Sequence, residues 1–299
     1  MGPSLARMAK RADPRRRVIA ASRWVDALVV ARSLRDHGVE TPRIDLRDAQ
    51  ALARLPDVPN VVFMAGQKFG TDFDPTSTWA TNVEMPASVA QRYAGVRTVV
   101  FSTGNVYALT PPEHGGSRET DEPAPIGDYA RSCLERERRF AAAARALNTP
   151  VSIVRLNYAH DLRYGVLTDL ACRLAAGEPI NVRMGWVNVI WQGDANALAL
   201  AALPRATAPE PNIVNVAGHE TLRVADLARA LAARLGVTAR IEGEEAPDAL
   251  LSNSSHMREL LDDPLLPLDT LLVWVADWVA RGGRVLNKPT RFESRDGRF

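Results

Sequence analysis

Between residues 18 and 156, short apolar runs alternate with longer stretches of helical periodicity. This rhythm limits the fold more than any other feature. Residues 18–21, 43–46, 60–65, 97–102 and 150–156 read as strands, and 24–37, 49–55, 76–93 and 128–147 as helices. Strands alternating with helices of this length imply parallel β-α-β units, hence an α/β class with a doubly wound parallel sheet. Ligands in such sheets bind beyond the carboxyl ends of the strands, where the strand order reverses. After Asn157 the rhythm changes to short helices, short strands and proline-rich turns. The expected division is therefore an α/β domain over 1–157, with a strand at 213–217 returning to its sheet. A smaller substrate or lid region takes 158–212 and 218–299. The polar tail after Leu286 is open to two readings, an ordered arm or a frayed end.

Composition narrows the function classes. Net charge is +2 over 299 residues, which gives no nucleic-acid or acidic-lipid surface. The cluster Lys10, Arg11, Arg15, Arg16 and Arg17 reads as a solvated helix end. Cys133 and Cys172, the two cysteines, make neither a disulfide framework nor a metal cluster, and the five histidines show no zinc spacing. No metal is expected, and a reducing, cytoplasmic setting is. No apolar run reaches membrane-spanning length. A G-x-S-x-G elbow is absent, which removes one hydrolase class.

Three segments carry the chemistry. "NVVFMAGQKFG" (60–70) is a strand entering a glycine-containing loop. "TVVFSTGNVY" (98–107) is a strand ending in hydroxyl and amide residues. "GDYARSCLERERRF" (127–140) sets a tyrosine at the start of a long helix. Strand-end Ser and Thr hydroxyls donate and accept hydrogen bonds. A tyrosine beside them can exchange a proton with an alcohol or carbonyl.

This set resembles the extended short-chain dehydrogenase/reductase superfamily, the NAD(P)-dependent epimerase/dehydratase group, over nearly the whole chain. The resemblance implies a Rossmann-type domain that binds NAD(P) and redox chemistry on an alcohol or carbonyl, with a nucleotide sugar as the family-level substrate. It implies Tyr129 and Thr103 as catalytic residues. Cofactor contacts are implied for Gly2, Ser22, Arg23, Asp45, Leu46, Ala65, Gly66, Lys68, Asn82, Ser102, Tyr129 and Leu156. Asn105, Tyr107, Asn157, Arg163 and Tyr164 are the expected substrate-facing residues. Ser22-Arg23 ends the second strand without an acidic residue, which leans the cofactor toward NADP. Helices 76–93 and 128–147 resemble the pair through which many members form homodimers.

Two departures from the pattern stand out. The superfamily begins with a strand and a glycine-rich turn, and Gly2 sits where the last glycine of that turn belongs. The expectation is a start that lies upstream; the alternative is that the two neighbouring strands close up and pair directly. Second, the family pattern places a lysine four residues after the tyrosine, and here that position is Cys133. An unperturbed tyrosine titrates near about 10 and is a poor base without a nearby cation. Lys68 is the candidate source of that charge, while Cys133 reads as a small apolar packer. These departures keep a rival reading open, a non-catalytic dinucleotide- or ligand-binding regulator on the same fold.

Overall fold

The computed structural model describes residues 1–299 apart from Asp26, Asp72, 261–264, Pro289 and Phe299, and apart from the side chains of Glu259 and Leu260. In chain order the elements are α1 (Gly2–Ala12), α2 (Leu28–Asp36), α3 (Ala49–Ala53), β1 (Asn60–Phe63), α4 (Pro75–Trp79), α5 (Met85–Arg92), β2 (Arg97–Thr103), α6 (Gly127–Leu147) and β3 (Val151–Leu156). There follow β4 (Ala159–His160), α7 (Val166–Ala175), β5 (Ile180–Asn181), β6 (Trp186–Val187), β7 (Ile190–Trp191), α8 (Gln192–Ala201), β8 (Asn212–Val216), β9 (Leu222–Arg223), α9 (Val224–Leu235), β10 (Ile241–Glu242), α10 (Ser255–Leu260) and α11 (Leu268–Ala280). The main sheet has the order β1-β2-β3-β8, with β1 parallel to β2 in the register Asn60 to Arg97 and Phe63 to Val100. The strand expected at 213–217 is β8, beside β3.

By contacts the chain forms two compact units. The first is Met1–Ser102, Ser132–Val154 and Asn196–Ile213, and the second is Thr103–Arg131, Arg155–Ala195 and Val214–Phe299. The cut thus runs through β2, α6, β3, α8 and β8, and it assigns residues 103–131, 155–157, 196–212 and 214–217 differently from the sequence reading.

In the first unit, Phe63, Met85, Val89, Val100, Phe140, Val151 and Ile153 pack into one core, with the Phe63 and Phe140 rings 5.3 Å apart. A smaller cluster joins Ala6 of α1 to Trp24, Ala31, Leu34 and Val39. The expected strand over 18–21 is present only as isolated parallel bridges, Ile19 to Glu40 and Ser22 to Arg43. Pro42, lacking an N–H, interrupts that ladder. Helix α2 begins at Leu28, not at 24, because Trp24 takes a left-handed backbone with φ of 52°. Its indole is buried and donates to the Pro42 carbonyl at 3.2 Å. No ladder between 18–22 and β1 occurs among the described residues, so direct closure of the two neighbours is not what this chain does. As a result β1 ends the sheet with Val61 and Val62 only half-buried, while β2 is buried from Thr98 onward.

The helix expected over 76–93 is broken by a wide turn at Ala80–Glu84. The cause is Pro86, which has no N–H to return to the preceding turn and forces the backbone to open there. The consequence is local to Asn82, which the wide turn carries.

The second unit has its core among α7, α9 and α11, including Leu167, Leu170, Leu174, Val224, Leu231 and Val275. The described residues of the tail are tied into the second unit. Thr290 donates to Asp169, Arg173 pairs with Glu293 at 2.8 Å, Arg295 pairs with Asp248, and Gly297 lies against Gly127.

His160 is buried in this unit, its ring edge-on to Trp191 at 5.6 Å, and neither ring nitrogen has a hydrogen-bond partner of good geometry. Burial pushes its pKa down to about 4, against a smaller pull from Asp161. The fold therefore holds a neutral imidazole, whereas the unfolded chain takes up a proton near about pH 6.5. Stability is full above that value and is lost as pH falls toward 4, by at most about 3 kcal/mol. Urea unfolding midpoints measured from neutral pH down to about pH 4.5 should fall, and the fall should be smaller in His160→Phe.

Candidate functional site

In the first unit, the loop after β1 and one face of α6 are joined by a single side chain. Asn82 Oδ1 accepts the Gln67 N–H at 2.7 Å and an Arg136 Nη2 proton at 2.9 Å. Its Nδ2 donates to the Gln67 carbonyl at 2.8 Å and to Ser132 Oγ at 2.9 Å. All four positions of the amide are used. Asn82, expected to touch a cofactor, has its amide committed to fixing the loop after β1.

Arg136 is buried. Nη1 donates to the Phe101 carbonyl at 3.0 Å, its guanidinium stands 6.0 Å from the Phe63 ring centroid, and Nε has no partner. A Cβ on Gly66 would lie 2.5 Å from Arg136 Nη2, so this glycine makes room for the arginine. Ser102 is likewise committed inward, donating to the buried Glu137 carboxylate. Sequence reasoning missed Arg136 and Glu137. The available signal was their i+7 and i+8 placement after Tyr129 on α6.

Lys68, two residues beyond Gly66, is partly buried. Desolvation lowers its pKa to about 8, and the Cys133 sulfur pulls the other way. Cys133 itself is fully buried on α6, one turn beyond the half-buried Tyr129. Arg131, two residues past the tyrosine, is exposed and pairs with Asp128 at 3.7 Å.

Other expected cofactor residues lie in the same unit. Gly2 opens α1, which has no side-chain cap and no acidic residue in its first turn. A Cβ there would meet only Met64 Sδ at 4.0 Å. Ser22 is tied to Pro42 and Trp24, Arg23 is exposed, and Leu46 and Ala65 pack beside the core. Asp45 pairs with Arg47 at 2.8 Å, and that guanidinium holds its carboxyl at about 2.

In the second unit, Thr103 Oγ1 accepts from the Asn105 N–H at 3.2 Å and from Asn105 Nδ2 at 2.8 Å, which leaves its own proton to donate. Asn105 thereby orients Thr103.

Two of the expected substrate residues belong to the interior. Tyr107 is buried, donates to Asn215 Oδ1 at 2.9 Å and accepts from Arg155 Nη1 at 2.7 Å. Burial pushes its phenol up to about 12, with Arg155 opposing. Asn157 is buried and donates to Asn188 Oδ1 and the Leu250 carbonyl, both at 3.2 Å. Their polar atoms are spent on other buried groups, because a buried polar group without a partner costs about 1–3 kcal/mol. Leu156, at the end of β3, is half-buried. Arg163 pairs with Asp161 at 2.8 Å and keeps its other face exposed, and Tyr164 bridges back to Asp161.

These placements describe strand ends and a helix face of an α/β fold with a parallel sheet, and comparison with known proteins identifies its family. The model of the NAD-dependent epimerase/dehydratase family matches residues 2–217. The chain belongs to that family. A search of curated protein sequences finds no match. Among solved structures, the epimerase/dehydratase fold recurs in UDP-glucuronic acid 4-epimerase from Bacillus cereus with UDP-glucuronic acid and NAD. That structure has a TM-score of 0.77 at 17% identity, covering 93% of this chain and 95% of that one. UDP-glucose 4-epimerase from Thermotoga maritima has a TM-score of 0.76 at 16% identity, covering 94% and 96%. Pal from Bacillus thuringiensis has 0.77 at 17%, covering 92% and 95%. At these identities the likeness is one of fold.

Among the described residues no group of His, Cys, Asp or Glu could hold a metal ion, and no helix is long and apolar enough to cross a membrane. Removing the Asn82 amide takes the partner from both backbone groups of Gln67 and from Nη2 of the buried Arg136. Asn82→Ala should lower stability by about 2–4 kcal/mol in chemical denaturation, more than a surface Asn→Ala change.

Proposed function

We propose that this epimerase/dehydratase-family protein carries out NAD(P)-dependent redox chemistry at an alcohol or carbonyl carbon of a nucleotide sugar. The observation that carries this reading is the pairing of two elements. Strand β2 ends in Ser102-Thr103, with the Thr103 proton left to donate, and α6 opens with Tyr129 in its first turn. The UDP-sugar epimerases of like fold support the substrate class.

The residues present fit a dinucleotide on their chemistry. The uncapped start of α1, without first-turn carboxylates, suits a pyrophosphate. Lys68 supplies an ammonium, and Arg23 an exposed guanidinium suited to a 2′-phosphate. When bound, the nicotinamide supplies hydride transfer. The chain supplies the rest. Thr103 donates a hydrogen bond to the reacting oxygen, held in place by Asn105. Tyr129 exchanges the proton at that oxygen. Ala65 and Leu156 offer apolar surface at strand ends, and Arg163 and Tyr164 are the remaining substrate-side candidates. Homodimerisation through α4, α5 and α6 belongs to the same reading, as does a lean toward NADP from Arg23.

A second reading, a non-catalytic dinucleotide-binding regulator, is favoured by Cys133 standing where the family carries lysine. The two are separated by incubating the protein with NAD or NADP and UDP-glucose or UDP-glucuronic acid, and following the 4-epimer or reduced cofactor. On the enzymatic reading Tyr129→Phe lowers kcat by about 10²–10⁴-fold with little change in nucleotide affinity. Nucleotide binding with no turnover supports the regulator, and turnover unaffected by Tyr129→Phe removes the tyrosine from the mechanism. Arg23→Glu should weaken NADPH binding by about tenfold relative to NADH in a fluorescence titration; equal effects on both would remove the NADP preference.

A further inference from the structure

Residues 290–298 run from α7 to the start of α6, all within the second unit. Thr290 is buried and donates from its hydroxyl to Asp169 on α7. Phe292 is buried in the core of the unit, and Glu293 accepts from Arg173 of α7 at 2.8 Å. Arg295 pairs with the Asp248 carboxylate and donates to the Asp248 carbonyl at 2.7 Å. The chain then turns. Asp296 Oδ1 accepts the Arg298 N–H at 3.2 Å, and Gly297 sits inside that turn with φ of 73°.

The turn ends against the residues that open α6. A Cβ on Gly127 would lie 2.5 Å from the Gly297 carbonyl oxygen, and a Cβ on Gly297 would overlap the Ile126 carbonyl. Gly127 takes φ of 83°. Two glycines thus let two backbones meet where neither has room for a side chain. Tyr129 stands two residues beyond Gly127, in the same helical turn. The N–H groups of a first turn have no partner inside the helix, so its position follows what packs against it.

We propose that residues 290–298 are a positioning element for Tyr129. The ties to Asp169, Arg173 and Asp248 fix the segment, and the Gly297 backbone seats the first turn of α6 and the phenol with it. The seating stands on these contacts alone. Its effect on turnover rests on the redox reading above, in which Tyr129 exchanges the proton. A displacement of about 1 Å at a reacting group costs about 10²-fold in rate, so the effect falls on kcat rather than on nucleotide binding.

The test compares the full chain with Gly297→Ala, Arg295→Met and Arg298→Ala. The last trims an exposed side chain paired with Asp296 and leaves the contact with α6 in place. The readouts are thermal melting, nucleotide-sugar turnover, and hydrogen exchange at the amides of residues 131–133, whose helical acceptors are the carbonyls of 127–129. Gly297→Ala and Arg295→Met should exchange about tenfold faster at 131–133 while α9 is unchanged. Their kcat should fall by about tenfold to hundredfold, with KM for the dinucleotide within about twofold. Arg298→Ala should match the wild type. Three results overturn the proposal: a folded Gly297→Ala with wild-type exchange at 131–133, one with wild-type kcat, or exchange that rises equally in α9, which marks general loss of stability. If Gly297→Ala does not fold, Arg295→Met decides on the same criteria. Absence of turnover in the wild-type protein overturns the redox reading alone, and exchange at 131–133 then upholds or overturns the seating by itself.

Discussion

A fully occupied buried amide organises the first unit. Asn82 satisfies both backbone groups of Gln67, one arm of Arg136 and the Ser132 hydroxyl. In a low-dielectric interior each of these bonds strengthens the others, and losing the hub strands several polar groups at once. The wide turn at Ala80–Glu84 serves this hub, and Pro86 produces the turn. A residue chosen for what it cannot donate thus sets where a side chain four helical positions away can reach.

The second unit shows the same economy around Asn215. Its amide accepts from Tyr107 and donates to the Ser117 and Asn253 carbonyls, and its backbone N–H donates to Glu119. Arg155 completes the group through the Tyr107 hydroxyl. Polar residues near a strand end are therefore divided. Some close the interior, as Tyr107 and Asn157 do, and others such as Thr103 keep a proton for use outside the network.

Much of the architecture was legible in the sequence because periodicity reports burial directly. The runs at 60–65, 97–102 and 150–156 became β1, β2 and β3, and the tyrosine fell in the first turn of α6 as its position after a loop suggested. The strand at 18–21 faded to bridges because pattern alone does not register a missing donor at Pro42. The direction of individual polar side chains was less legible. Tyr107, Asn157 and Ser102 sit at positions where a strand end could face outward, and only the presence of partners distant in sequence turned them inward. Arg136 and Glu137 stand inside the charged stretch 135–139 of α6, where sequence alone does not show that helix packing buries them.

The lateral exposure of β1 has a mechanical consequence. A strand with one ladder exchanges its free-edge amides with water and frays sooner than one held on both sides. The loop carrying Gly66, Gln67 and Lys68 leaves from the end of that strand, yet its anchor is the side chain of a helix residue. Fraying of the edge therefore does not carry the loop with it. The order of the loop follows the local stability of the helical segments around Asn82 and Ser132, and deuterium exchange at the Gln67 amide should track those helices more closely than the amides of Val61 and Val62.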